Sequence, residues 1–288
     1  MNGLLNQKIS IVTPRPQTTR HRILGILSTA EYQILFLDTP GMIQPKYLLQ
    51  EVMMERATTA LEDADIVVYM IDATRPTGLD RAGSDAVAAN VLTRVRASAK
   101  PAFLVINKID LVEKGALLPV MKAFAERELF REIHPISALT SDGTRELLAA
   151  LAKELPLHPP LYPLDIVSEQ NERFFVSEII REKIFERYQQ EIPYSTTVDI
   201  REFKEREGAG QSGESVKWFI SADIYVERDS QKAILIGKKG AALKEIGTRA
   251  RKDIEEFLQH PVFLELYVKV RPKWREDKEW LARLGYTS

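Results

Sequence analysis

Two unbroken apolar runs restrict the fold most. Ile66-Val67-Val68-Tyr69-Met70-Ile71 and Ala102–Ile106 show none of the alternation expected of a strand with one wet face. A continuous run is what a parallel strand covered on both faces requires. A shorter run, Ile133–Ile136, follows, and Tyr32–Leu37 precedes, ending at Asp38. Helical periodicity fills the intervals at about 45–63, 80–98, 116–130 and 143–154. This βαβα rhythm predicts an open parallel sheet with helices on both faces. Ligands of such sheets bind at the carboxyl ends of the strands.

The alternation stops at LPLHPPLYPLD, residues 155–165, where four prolines exclude helix and sheet. The 288 residues suffice for two cores. The expected division is 1–156 for the α/β domain, 157–170 for a linker and 171–288 for a second domain. That second part predicts a helix at Glu172–Gln190, strands at Thr196–Phe203 and Val216–Val226 around the loop EREGAGQSGES, and a short helix at Gln231–Ile236. The turn Gly237-Lys238-Lys239-Gly240, a long helix Ala241–Leu258, a strand Val262–Val270 and a last helix near Lys273–Leu284 complete it.

Charge marks no partner globally. The formal net charge is −1, and residues 165–288 hold 22 Lys and Arg against 23 Asp and Glu. Nucleic-acid affinity would have to come from a local patch, with a modest salt slope. The absence of cysteine excludes disulfides and thiolate metal sites. The four His show no ligand spacing, and His134 and His158 are expected to be bystanders. No apolar run approaches the roughly 20 residues of a membrane-spanning helix, so a soluble cytoplasmic protein is the default expectation; a monomer is expected separately.

Chemistry gathers at three strand ends. After YQILFL stands Asp38-Thr39-Pro40-Gly41, with Met42 next. An Asp here can hold Mg²⁺ through water, and the Gly backbone N–H can meet a terminal phosphate. After AFLVI stands Asn107-Lys108-Ile109-Asp110. An Asp carboxylate can accept from the adjacent N1–H and N2–H₂ of guanine, the Asn can bond the N7 side and tie neighbouring loops, and the Lys stem can cover the base. Adenine offers no such donor pair and would leave a buried carboxylate unsatisfied. After IHPI stand Ser137-Ala138-Leu139, small enough at Ala138 for a backbone N–H to approach the guanine oxygen. Each stretch alone is compatible with an ordinary polar turn. Their order and separations, about 70 and then about 30 residues, are those of a guanine-nucleotide domain.

At this point the chain resembles the Era GTPases, which pair a Ras-like GTP-binding domain with an RNA-binding KH domain. The likeness rests on QKIS and QTTRHR as a first switch, on DTPG, NKxD and SA, on SEIIREKIFERY, on the IGKKG turn and on the closing WLARLGY. It implies an α/β Ras-like P-loop GTPase domain followed by an α+β type II KH domain. It further implies GTP/GDP and Mg²⁺ as cofactors, with Thr19 (Thr18 as the alternative) and Asp38 on the metal. Gly41 would sense the γ-phosphate, and Met42 stands where Ras-like enzymes place a water-orienting Gln, so slow intrinsic hydrolysis is expected. The implied partner is single-stranded RNA near the 3′ end of the small-subunit (16S) ribosomal RNA, with action in 30S assembly and peripheral contact with the cytoplasmic membrane. Gly237, Lys238, Lys239, Gly240 and Lys244 would form the RNA loop, where a tight turn lets backbone and helix N-terminus approach phosphates. Trp274, Trp280 and Tyr286 are expected to pack the last helix.

The pattern G-x-x-x-x-G-K-[ST] is absent from the 288 residues. The resemblance places it just before a helix ending near Leu4–Leu5, so the first strand and the phosphate-cradling loop are expected to be missing. Either the sequence starts late within a complete protein, or the chain is an RNA-binding scaffold whose nucleotide domain has degenerated.

Overall fold

The computed structural model describes residues 1–13, 15, 17–77, 85–205 and 217–286. The chain forms two compact units. The first comprises Met1–Ile9, His21–Pro45 and Met53–Glu169; the second comprises Ser10–Arg20, Lys46–Val52 and Gln170–Ser288.

The first unit contains α1 (Asn2–Leu5), β1 (Ile23–Ser28), β2 (Gln33–Asp38), most of α2 (Leu48–Asp63), β3 (Val67–Asp72), α3 (Ala86–Ala97), β4 (Ala102–Asn107), α4 (Lys114–Ala125), β5 (Glu132–Pro135) and α5 (Thr144–Glu154). β3, β4 and β5 form a parallel sheet in that order, with Asp72 opposite Asn107. β4 is its centre. Phe103 and Val105 pack on one face with Leu147, Ala150 and Leu151 of α5, while Leu104 and Ile106 pack on the other with Leu92 of α3 and Leu117, Val120 and Phe124 of α4. Five consecutive buried residues explain why this strand lacks alternation.

Two expectations need correction. β1 and β2 pair antiparallel, from Ile23 opposite Asp38 to Ser28 opposite Gln33, and form a separate two-stranded sheet. The sequence pattern predicts no strand at Ile23–Ser28. Its interior Gly25 weakens any local strand signal, and it is glycine because an added Cβ would lie 2.7 Å from Leu5 and Met1 side-chain atoms. β3 is also not covered on both faces: Tyr69 and Ile71 pack inward, but Val68 and Met70 are 39% and 49% exposed. The beginning of the helix expected at 80–98 falls partly outside the described residues.

The second unit contains α6 (Glu172–Arg187), α7 (Ile192–Ser195), β6 (Thr197–Lys204), β7 (Trp218–Val226), α8 (Asp229–Ile236), α9 (Ala241–Leu258), β8 (Val262–Val270) and α10 (Lys278–Arg283). The sheet order is β6-β7-β8, antiparallel then parallel. Ile220, Ala222, Ile224 and Val226 of β7 meet the Ile246–Ala250–Ile254 stripe of α9 and Val176, Ile180 and Ile184 of α6. The i, i+4 spacing on α9 and the i, i+2 spacing on β7 put these residues on facing surfaces. The loop EREGAGQSGES falls, but for Glu205, outside the described residues.

The expected last helix is broken. Residues Trp274–Glu276 form a 3₁₀ turn, and Asp277 caps α10 by accepting from the Trp280 N–H at 3.1 Å. The break lets fully buried Trp274 turn inward and donate its indole N–H to the Ser195 carbonyl at 2.9 Å. Trp280 lies between the Arg271 and Arg283 guanidiniums, 4.7 and 4.6 Å from its ring centre.

Candidate nucleotide site and RNA groove

The two strand ends expected to read guanine, those of β4 and β5, come together at the carboxyl edge of the parallel sheet. Asn107 Oδ1 accepts the Lys108 N–H at 2.8 Å and the Ala138 N–H at 3.0 Å, tying the loops after β4 and β5. The Ile109 N–H donates to the Ile136 carbonyl at 3.2 Å. Ser137 is fully buried and its hydroxyl accepts from the Thr140 N–H. In this structure the Ala138 N–H, which sequence reasoning assigns to guanine, is therefore held by Asn107. Asp110 lies on the exposed 3₁₀ turn Ile109–Leu111 and makes no ion pair among the described residues.

Lys108 caps that turn in the left-handed conformation, φ 69°. Its ammonium lies 2.7 Å from Asp72 Oδ2, at the end of β3. Asp72 Oδ1 also accepts from the Thr74 N–H at 2.8 Å and the Thr74 hydroxyl at 2.7 Å. Burial opposes ionisation of Asp72, but the Lys108 ammonium and the Thr74 bonds outweigh it and hold the carboxyl at about 2. Sequence reasoning missed Asp72. The available signal was the one used for Asp38, an acid closing an apolar strand, but no glycine turn follows it.

The phosphate-side residues fall in both units. Asp38 ends β2 in the first unit, followed by Thr39, buried Pro40, exposed Gly41 and half-buried Met42. An added Cβ at Gly41 would meet nothing within 4 Å, so no protein contact requires glycine there. Thr18 and Thr19 belong to the second unit. The buried Thr18 hydroxyl is committed to the Arg15 carbonyl at 2.8 Å and the Thr13 hydroxyl at 2.7 Å. The Thr19 hydroxyl has no protein partner among the described residues.

The segment Ser10–Arg20 is built into the second unit. Arg20, only 3% exposed, donates to the carbonyls of Thr196 at 2.8 Å, Pro193 at 2.9 Å and Tyr194 at 3.0 Å, and stacks over Trp274. Arg181 of α6 is bound to Glu178 and donates to the Thr18 carbonyl at 2.6 Å. Glu182 accepts the Val12 N–H at 2.8 Å. Sequence reasoning assigns none of these roles, because partners more than 160 residues apart leave no local pattern.

The Gly237–Gly240 turn precedes α9. Gly237 has φ 70°, ψ 179°, and Gly240 has φ 78°, ψ 6°. Both conformations favour glycine. Lys238 and Lys239 are exposed, and the first N–H groups of α9 have no side-chain cap. A groove beside the turn is lined by Gly240, Lys244, Thr248 and Arg251 of α9, with Leu264 and Leu266 of β8 as its apolar wall. Arg249 points away to Glu186.

An α/β unit whose strand ends carry the Asn107–Asp110 and Ser137–Ala138 loops, joined to an α-β-β-α-α-β unit with a glycine-framed basic turn, defines a GTPase-type domain followed by a KH domain. Residues 1–108 match the family described as 50S ribosome-binding GTPase, and residues 191–275 match the KH domain family. GTPase Era of Geobacter metallireducens is 45% identical over 100% of this chain and 92% of its own length. A chloroplastic ERA-like GTPase of Arabidopsis thaliana is 43% identical over 99% of the chain and 64% of its own length. The crystal structure of Era in complex with MgGDPNP and nucleotides 1506–1542 of 16S ribosomal RNA superposes with a TM-score of 0.91 at 38% identity, covering 100% of this chain and 93% of that one. A point variant of Aquifex aeolicus Era bound to GDP·AlF4⁻ gives the same values. The chain belongs to the Era family of GTPases, with a Ras-like GTPase domain and a C-terminal KH domain.

Proposed function

We infer that this protein binds and hydrolyses GTP with Mg²⁺, binds 16S ribosomal RNA and acts in assembly of the small ribosomal subunit. The observation that carries this is the pairing, on one chain, of the Asn107–Ala138 loop tie beside exposed Asp110 with the Gly237–Gly240 groove, in the fold of a relative solved with MgGDPNP and a 16S fragment. Asn107, Lys108, Ile109 and Asp110 with Ser137 and Ala138 form the guanine site. Asp38 and Thr19 suit Mg²⁺, a hard cation that takes oxygen ligands. The uncommitted Thr19 hydroxyl supports it over Thr18. Thr39, Pro40, Gly41 and Met42 would face the terminal phosphate, for which the open space before Gly41 leaves room. Bound Mg²⁺ would neutralise charge on the transferring phosphate. Gly237, Lys238, Lys239, Gly240 and Lys244 would hold single-stranded RNA.

Functional domains of 1–156 and 171–288, with 157–170 between, are part of this proposal, although the compact units exchange Ser10–Arg20 and Lys46–Val52 across that division. Among the described residues β2 and β3 each present an unpaired edge, and Val68 and Met70 stand open. One further parallel strand between them, leading into a glycine-rich loop, would complete a Ras-like sheet and supply the phosphate cradle. No described helix is long and apolar enough to cross a membrane. Residence in the cytoplasm, with peripheral membrane contact and a monomeric state, completes the proposal.

The guanine reading is tested at Asp110. Asp110→Asn replaces two acceptors by one acceptor and one donor. Losing two charge-assisted hydrogen bonds, at about 1.5–3 kcal/mol each, weakens GDP binding at least about 100-fold and favours the xanthine nucleotide. Calorimetry with GDP and XDP measures both. Absence of GTP and GDP binding by the parent chain replaces this reading with that of an RNA-binding scaffold.

A further inference from the structure

We propose that Asp72 is a positioning residue for guanine recognition: it holds the Lys108 ammonium away from Asp110, so that the Asp110 carboxylate remains available to the base. This rests on the guanine reading of Asp110 given above.

Lys108 and Asp110 stand two residues apart on one tight turn, with Lys108 as its N-cap. A four-carbon stem ending in a cation is then within reach of the carboxylate that guanine needs. An internal Lys–Asp pair there would compete with the N1–H and N2–H₂ donors of the base. The structure shows the other arrangement. The ammonium pairs with Asp72 at 2.7 Å, and Asp110 is exposed without an ion pair among the described residues. The pairing is built in by the sheet, because Asp72 and Asn107 are opposite each other at the ends of β3 and β4. The Ala73 N–H adds a bond to the Asn107 carbonyl at 2.8 Å. Thr74 fixes the other carboxylate oxygen through its N–H and hydroxyl, which leaves Oδ2 turned to the lysine. Asp72, Lys108, Asn107 and Ala138 thus form a continuous tie across three strand ends, with Asp110 left out of it.

The bland alternative is that Asp72 only shapes the turn at Thr74. Asp72→Asn separates the two roles. The amide oxygen still accepts from Thr74, but the charge that holds the ammonium is gone. Lys108→Met keeps an apolar stem over the base and removes the ammonium. The proposal therefore predicts suppression. Asp72→Asn weakens GDP binding about 10-fold, a typical loss for one charge-assisted contact. Asp72→Asn combined with Lys108→Met binds GDP more tightly than Asp72→Asn alone, within about threefold of Lys108→Met, because no ammonium remains to block Asp110. Asp72→Glu, which keeps the charge, stays near the parent.

The measurement is GDP titration by calorimetry on the four variants and the full parent chain, with thermal melting as a folding control. A double variant as weak as Asp72→Asn, or weaker, overturns the proposal. So does an Asp72→Asn variant with parental affinity. A parent chain that binds no GDP overturns the guanine reading itself, and this assignment with it.

Discussion

Asp38 and Asp72 show how far a single residue can be read. Both end apolar strands of the first unit. The sequence exposes Asp38 because Thr-Pro-Gly follows. It hides Asp72 because its partner, Lys108, lies just beyond the end of the next strand of the sheet. The ion pair has a pH signature whose sign is fixed. The carboxyl moves from an ordinary 3.8 down to about 2 in the folded chain. A depressed acid contributes stability that is complete above its unfolded value and is lost as pH falls through the folded one. Both side chains are partly solvated, so the contribution is no more than about 1 kcal/mol. Melting curves of the parent and of Asp72→Asn should differ by a constant small amount from neutral pH to about 4. They should converge between about 4 and about 2. A gap that persists at pH 2 would assign the difference to the turn rather than to the charge pair.

At the scale of elements, the two glycines of the Gly237–Gly240 turn are unequal although the GxxG pattern treats them alike. Gly237 combines φ 70° with ψ 179°, a region essentially closed to other residues, and an added Cβ would lie 2.6 Å from the Ala242 Cβ. Gly240 is left-handed, with nothing within 4 Å of an added Cβ. Gly237→Ala should therefore cost about 3 kcal/mol, strain plus overpacking, and Gly240→Ala about 1 kcal/mol. Urea unfolding of the two variants checks the order; equal losses would refute the geometric distinction. The same contrast marks what was legible in the sequence. β4 declares itself as an unbroken apolar run, and α9 and β8 through periodicity, because their own side chains fill a core. β1 does not. Its glycine answers to Met1, Leu5 and Ile9, and its turn to β2, Ser28–Gln33, carries no Asn-Gly or Asp-Gly signal. The broken last helix was equally hidden, since the burial of Trp274 depends on the Ser195 carbonyl far earlier in the chain.

At the scale of the whole molecule, the units are not divided where the sequence divides. Ser10–Arg20, which holds part of the expected first switch, and Lys46–Val52, at the start of α2, are built into the unit that carries the KH fold. Arg20 fills a cage of three backbone carbonyls there, and Arg181 grips the Thr18 carbonyl. Tyr47 receives the Arg275 guanidinium 4.4 Å from its ring centre. Thr19, the proposed Mg²⁺ ligand, is the neighbour of Arg20. The proposed Mg²⁺ contact at Thr19 thus lies between two residues anchored to α6, α7 and Trp274. Coupling between two ligands is reciprocal by thermodynamic necessity, and typical strengths are about 5- to 150-fold. A non-hydrolysable GTP analogue should change the affinity for a short 16S 3′-end strand by some factor, and that strand should change the affinity for the analogue by the same factor. Arg20→Ala removes the anchor while leaving Thr19 and the GKKG loop in place. It should bring both factors towards one while each ligand still binds. Lys238→Asp with Lys239→Asp removes RNA binding and serves as the control in which nucleotide affinity must ignore the strand. Fluorescence titrations of both ligands, each with and without the other, measure the four affinities; equal factors check the measurement, and coupling undiminished by Arg20→Ala would show that the link runs elsewhere.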